Sequence, residues 1–226
     1  MKTALITGAN KGLGLEFARQ LKEKEYYIIG CCRNPSKASE LETLADELIQ
    51  LDVTSDKDIA SLKKTLNNRP IDLLVNNAGT SGEQGVTIGN IDRKNFLEVI
   101  NVNCIGVVKL SDALLTNIEM SDEKNILVIS SAMGSIAENE RGKSYAYRAS
   151  KAALNCVMRS FAIDVQNKGI HVMLIHPGWV RTAMGGPDAP IDVKTSVAKI
   201  LKQAEKEFAH SHAEKLLTYE GDVIAW

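Results

Sequence analysis

Short apolar runs alternate with longer helix-patterned stretches along the whole chain, and no other feature restricts the fold as much. "TALIT" is followed by "LGLEFARQLKE", "YYIIGCC" by "SKASELETLADE", and "LIQLDV" by "DIASLKKTLNN". "IDLLVNNAG" precedes one long helical stretch from about Asp92 to Glu119, and "NILVISS" precedes a helix from near Tyr145 to about Asn167. "IHVMLIHPG" leads to the helix "VKTSVAKILKQAEKEF", with "EKLLTY" as a last short strand. The strand runs are apolar almost without interruption, as strands buried on both faces must be. This pattern predicts an α/β fold, with a doubly wound parallel sheet of about seven strands, helices on both faces and right-handed crossovers. With 226 residues and no repeat, low-complexity tract or linker, residues 1–226 are read as one domain.

A net charge of −1 gives no general attraction to nucleic acid or to an anionic membrane. No apolar run approaches the roughly 18 residues of a spanning helix. "MKTALITGAN" reaches glycine too soon for a signal sequence, so a soluble, cytoplasmic protein is expected. Cys31, Cys32, Cys104 and Cys156 lack metal-ligand spacing and are expected to be reduced thiols in buried elements. His171 and His176 share a strand and read as structural; His210 and His212 alternate without an acid or cysteine partner, and no metal is expected.

"TGANKGLG" joins the first strand to the first helix, with Gly8, Gly12 and Gly14 in the turn. Glycines there let a phosphate approach the backbone, and the helix N-terminus offers free N–H groups and a positive dipole end. The setting points to a dinucleotide pyrophosphate and a Rossmann-type sheet.

The spacing T-G-x-x-x-G-x-G resembles that of the short-chain dehydrogenases/reductases. "NNAG" (76–79), "NVN" (101–103), "SSAMG" (130–134), "YRASK" (147–151) and "PGWVRT" (177–182) then follow in that family's order. "NKGLG", "YAYRASKAALN" and Trp226 resemble its carbonyl-reductase and C-factor/sniffer-like branch.

For the cofactor, the position after the second strand decides. An NAD-selective site carries an acid there for the ribose hydroxyls. Here the position is Cys32, followed by Arg33, with Lys11 inside the glycine turn. Two cations without an acid suit the additional phosphate of NADP(H), which is preferred over NAD(H). Taken singly, each cation would serve equally as a solvated surface charge. The resemblance places Gly8, Lys11, Gly12, Leu13 and Gly14 at the coenzyme. It places Asp52 and Val53 at the adenine, and Asn76, Ala78 and Gly79 along the riboses, where "NNAG" would otherwise pack a strand end. Pro177, Gly178, Val180 and Thr182 would meet the nicotinamide.

"SYAYRASK" holds two tyrosines and one lysine. Residues four apart share a helix face and residues six apart do not, so Tyr147, not Tyr145, is the partner of Lys151. A nearby ammonium should lower the tyrosine's titration from its usual value near 10, giving a general acid–base. The resemblance implies that Ser131 binds a substrate carbonyl and that Tyr147 protonates it. It also implies that Lys151 holds the nicotinamide ribose and that Asn103 anchors a water in a proton path. Tyr145 is left as either an aromatic wall of the substrate site or a surface ring near a subunit contact.

Ser131 and Tyr147 stand 16 positions apart, a longer gap than in many relatives, and the charged "SIAENERGKS" between them should lie at the pocket mouth. After Thr182 only "AMGGPDAPID" precedes the next helix, which suggests an open or mobile pocket. Met133, Tyr145, Trp179 and Met184 are candidate walls. The activity implied is NADPH-dependent reduction of an aldehyde or ketone. The alternative is a dinucleotide-binding sensor or signalling protein of the C-factor type with incidental turnover. Pairing of the long helix with the Tyr147 helix, as in relatives, implies a homodimer or homotetramer.

Overall fold

A computed structural model describes all 226 residues. One sheet holds strands β1 (Thr3–Thr7), β2 (Tyr27–Cys32), β3 (Glu47–Gln50), β4 (Leu73–Asn76), β5 (Asn125–Ile129), β6 (His171–His176), β7 (His212–Thr218) and β8 (Val223–Ile224). Their spatial order is β3-β2-β1-β4-β5-β6-β7-β8. Seven strands run parallel; β8 returns antiparallel to β7. The eighth strand, beyond the seven expected, forms because Thr218–Asp222 closes a tight turn. Thr218 N donates to Asp222 O (2.7 Å) and Gly221 takes a φ of 101°. Two residues carry too little pattern to announce a strand.

Helices α1 (Gly12–Glu23), α2 (Ser39–Glu42) and α8 (Val193–Glu207) cover one face; α3 (Asp56–Leu66), α5 (Gly106–Ala113) and α7 (Tyr145–Val165) cover the other. Each face seals its own apolar core. Phe17, Leu41 and Ile200 pack on one side, and Leu62, Leu110 and Leu154 on the other. Full burial of such side chains contributes roughly 1.5–3 kcal/mol each.

Two expected helices differ. The stretch after Ser36 keeps only a 3₁₀ turn (Pro35–Lys37) and the single turn of α2. The long helix is interrupted: α4 (Arg93–Ile100) passes through a π-helical stretch (Asn101–Ile105) into α5, and α6 (Leu115–Glu119) follows after Leu114. Asn103 lies inside that π stretch. Such bulges collect at functional sites. No helix is long and apolar enough to cross a membrane. All four cysteines are free; Cys31, Cys32 and Cys104 are buried as expected, but Cys156 is exposed.

Candidate active site

The strand order reverses between β1 and β4, which opens a crevice at the carboxyl ends of the strands. The glycine turn sits at that point. Thr7 Oγ1 accepts from the backbone N–H groups of Asn77 and Ala78 (3.0 Å each), and Asn77 Nδ2 donates to Thr7 O (2.9 Å). These bonds staple the first turn to the loop after β4. Gly14 is fixed by the same crowding, because a Cβ there would lie 2.3 Å from Gly8 O and 2.6 Å from Asn77 Nδ2. Asn77 was not singled out from sequence; its signal was the doubled asparagine. Asn76 turns inward, donating to Ser111 Oγ (3.0 Å), so its side chain packs the end of β4 against α5.

Helix α1 begins without a side-chain cap, whereas Ser55, Asp92 and Asp192 cap α3, α4 and α8. Its first-turn N–H groups face the crevice with no side chain satisfying them. Lys11 and Arg33 are exposed, flank the carboxyl ends of β1 and β2, and enter no salt bridge. Asp52 folds its carboxylate onto its own turn, accepting from Thr54 N (2.9 Å) and Thr54 Oγ1 (2.7 Å). Val53 is buried against Gly106 of α5.

Ser131 follows β5 and opens a 3₁₀ turn (Ala132–Gly134), where its Oγ accepts from Met133 N (3.1 Å). Gly134 lets that turn press on α7, since a Cβ there would meet the Lys151 backbone at 2.8 Å. The contact holds the turn of Ser131 against α7, and the serine side chain stands beside the Tyr147 phenol. Before α7 the backbone takes left-handed angles at Lys143 (φ 56°) and Ser144 (φ 47°), neither of them glycine. Strain of this kind collects where geometry is over-determined.

Lys151 is buried, and its Nζ donates to Ile129 O (2.8 Å) while lying 5.9 Å from the Tyr147 ring centre. Burial lowers its pKa from 10.5 to about 8, with nearby Cys104 opposing. For Tyr147 the sequence argument anticipated a lowered phenol. The direction is the reverse: burial raises it, and the neighbouring Ser131 hydroxyl offsets only part of that. The lysine directs its ammonium to a strand carbonyl instead of to the phenol. Asn103 is wholly buried; it accepts from Thr80 N (2.8 Å) and donates to Thr80 O (2.8 Å) and Ser150 Oγ (2.9 Å), locking the loop after β4 to α7.

The segment after β6 is bonded to itself. Arg181 N donates to Ile191 O (2.8 Å), Trp179 Nε1 donates to Gly185 O (2.7 Å), and Gly186 N donates to Thr182 O (2.9 Å). Internal bonds close the loop that glycine and proline content had suggested was loose. A Cβ on Gly12 would stand 3.4 Å from Thr182 Cγ2, so this loop meets the glycine turn across the crevice. Pro177 is buried, its carbonyl accepting from Ser196 Oγ (2.7 Å). Gly178 has a φ of 85°, and Val180 bridges to Ile191. Trp179 and Met184 are half exposed. Tyr145 lines a cavity with Tyr147, Val86, Ile91 and Phe96.

Residues 2–190 match the family model described as short chain dehydrogenase. The chain belongs to that family. It is 36% identical over 157 residues to the C-signal of Myxococcus xanthus, covering 70% of this chain and 93% of that one. The short-chain dehydrogenase fold here superposes on carbonyl reductase Sniffer of D. melanogaster with a TM-score of 0.90 at 31% identity, each chain covered in full. An NADPH-bound carbonyl reductase from chicken fatty liver gives a TM-score of 0.89 at 33% identity over 100% of this chain and 99% of that one.

Proposed function

We propose that this short-chain dehydrogenase is an NADPH-dependent carbonyl reductase that converts an aldehyde or ketone to an alcohol. The observation that carries the reading is the pair of hydroxyls, Ser131 and Tyr147, side by side next to a buried Lys151 on the floor of the glycine-turn crevice. The residues fit the coenzyme. Gly8, Gly12, Leu13 and Gly14 would carry a pyrophosphate over the uncapped start of α1. Lys11 and Arg33 are free to bind a ribose phosphate, which favours NADP(H) over NAD(H). Asp52 and Val53 would border the adenine, and Ala78 and Gly79 the riboses. Pro177, Gly178, Val180 and Thr182 would border the nicotinamide. When bound, the coenzyme supplies the hydride.

The chain's own part is to hold the carbonyl and deliver a proton. Ser131 Oγ donates to the substrate oxygen and fixes it against Tyr147. Tyr147 Oη then protonates that oxygen as its negative charge develops; a phenol kept protonated by burial is suited to be the acid. Lys151 holds the nicotinamide ribose and, as an ammonium, stabilises the phenolate left behind. Asn103 locks the polar path that returns a proton toward Lys151.

The C-signal relative supports a second reading, a dinucleotide-binding signalling protein whose turnover is incidental. The chain would work in the cytoplasm as a homodimer or homotetramer, with exposed Leu97, Ile105 and Ile163 on the paired helices buried between copies. The test is NADPH consumption across a panel of aldehydes and ketones, with Tyr147→Phe in parallel. The reductase predicts turnover that falls about 10²–10⁴-fold in the variant. Tight NADPH binding without turnover on any carbonyl would favour the signalling reading.

A further inference from the structure

Behind Lys151 lies a set of buried polar groups that this reaction leaves unused. Ser130 and His176 stand at the ends of β5 and β6. The register pairs Ile129 with Ile175, and Ser130 N donates to Ile175 O (2.8 Å), so the two are lateral neighbours. Two positions earlier, Val128 and Leu174 pack in the core shared with Leu154 and Met158 of α7. Alternation along a strand therefore turns Ser130 and His176 toward α7 as well. Helix α7 presents Asn155 there, one turn beyond Lys151.

Ser130 Oγ donates to Asn155 Oδ1 (2.5 Å), which fixes the orientation of the amide. Asn155 Nδ2 is then buried without a protein acceptor, and His176 Nδ1 is buried without a protein donor. Buried polar atoms left unpaired cost about 1–3 kcal/mol each, so pairs of this kind are rarely left open. Lys151 has the matching need: of its three N–H donors, one reaches Ile129 O. Burial first, then the charge of Lys151, lowers the His176 pKa to about 4, so the imidazole is neutral and its lone pair is available. The other titratable groups beside the lysine are Tyr147 on the same helix and Cys104 on the π stretch, both with pKa values raised chiefly by burial.

We propose that Lys151, Asn155 and His176 share one buried water, and that His176 is thereby a positioning residue for Lys151. The water accepts from Lys151 Nζ and Asn155 Nδ2 and donates to His176 Nδ1, with Nε2 of the imidazole carrying the proton. The arrangement gives the buried ammonium a second acceptor and keeps it charged at neutral pH. The inference rests on the reading of Lys151 as the partner of Tyr147.

The test uses protein carrying ¹³C-lysine, with the Lys151 side-chain resonance titrated by NMR and kcat measured against pH, in wild type, His176→Phe and His176→Asn. In the phenylalanine variant both the lysine titration and the alkaline fall of kcat should move down by about one pH unit, a tenfold change. Asparagine places an acceptor where Nδ1 stands and should restore wild-type behaviour. If His176→Phe does not fold, Asn155→Leu should produce the same downward shift. A folded His176→Phe with an unmoved Lys151 titration overturns the proposal. Because the NMR readout needs no turnover, a wild type that reduces no carbonyl would sink the reductase reading without deciding this one.

Discussion

The floor of the crevice and its mouth are built on different terms. On the floor, Thr7, Asn77 and Asn103 are held by hydrogen bonds between segments distant in sequence, and Lys151 and Asn103 are almost wholly buried. At the mouth, Trp179 and Met184 are half exposed, and Ile136 in the charged loop is 78% exposed. The bonds of the loop 179–191 run within that loop, as from Trp179 to Gly185. A floor over-determined by many partners tolerates no shift in the reacting groups. A loop whose hydrogen bonds are its own can change its exposed side chains without disturbing the chemistry. If that contrast is real, substitutions should grade steeply from one region to the other.

After Tyr147→Phe, the largest effect should come from Ser131→Ala. In the proposed reaction its hydroxyl donates to the developing oxyanion, and loss of one such donor typically costs about 10²–10³ in kcat. NADPH affinity, measured by fluorescence titration, should stay within threefold. A fall confined to KM would mean that Ser131 only lines the site, and the floor would lose its distinction from the mouth.

Lys151 sharpens the contrast through pH. Its folded value of about 8 lies below the ordinary 10.5, so between these values the unfolded chain holds a proton that the folded chain has released. Unfolding then takes up a proton, and the lysine's contribution makes stability rise with pH across that window. A difference of this size corresponds to about 3 kcal/mol at full extent. Denaturant titrations from pH 7.5 to 10 should show the rise in wild type and a flatter profile in Lys151→Met. Equal slopes would mean that the ammonium is well solvated in the fold.

Gly14→Ala tests the floor's backbone. A methyl group 2.3 Å from Gly8 O must push α1 off β1, and overpacking of this order costs roughly 1–3 kcal/mol. Both the melting temperature and NADPH affinity should fall. An alanine variant of native stability and affinity would show that the turn adjusts more freely than its contacts imply.

These regions were not equally legible in the sequence. The glycine turn, Ser131 at a strand end and the spacing of Tyr147 and Lys151 are local patterns, and the structure places them at one crevice. What the sequence concealed depends on pairing. Asn77 acts only because β1 and β4 are neighbours, and the alignment of Ser130, Asn155 and His176 needs the β5–β6 register. The π stretch around Asn103 looks like ordinary helix, because inserting one residue in a helix leaves little trace in apolar spacing. The bonds within the loop 179–191 were hidden for a related reason: glycine and proline report turns but not the bonds that close them. The pull of Lys151 on Tyr147 was misjudged because helix spacing places two residues on one face without saying which acceptor the ammonium will take.

The smallest effect should come from Met184→Ala, and it tests the comparison most directly. Met184 is 50% exposed, and its loop is closed by the bonds of Trp179, Arg181 and Thr182, none of which uses the methionine side chain. Removing an exposed side chain away from caps, charges and the core usually changes stability by less than about 0.5 kcal/mol. kcat on a small aldehyde should therefore be retained, while KM for a bulky ketone rises if the methionine covers the substrate's outer end. Loss of kcat on both substrates would require the mouth to be coupled to Tyr147 and Lys151. The loop touches the floor through Thr182 at Gly12, which makes that contact the route such coupling would have to take.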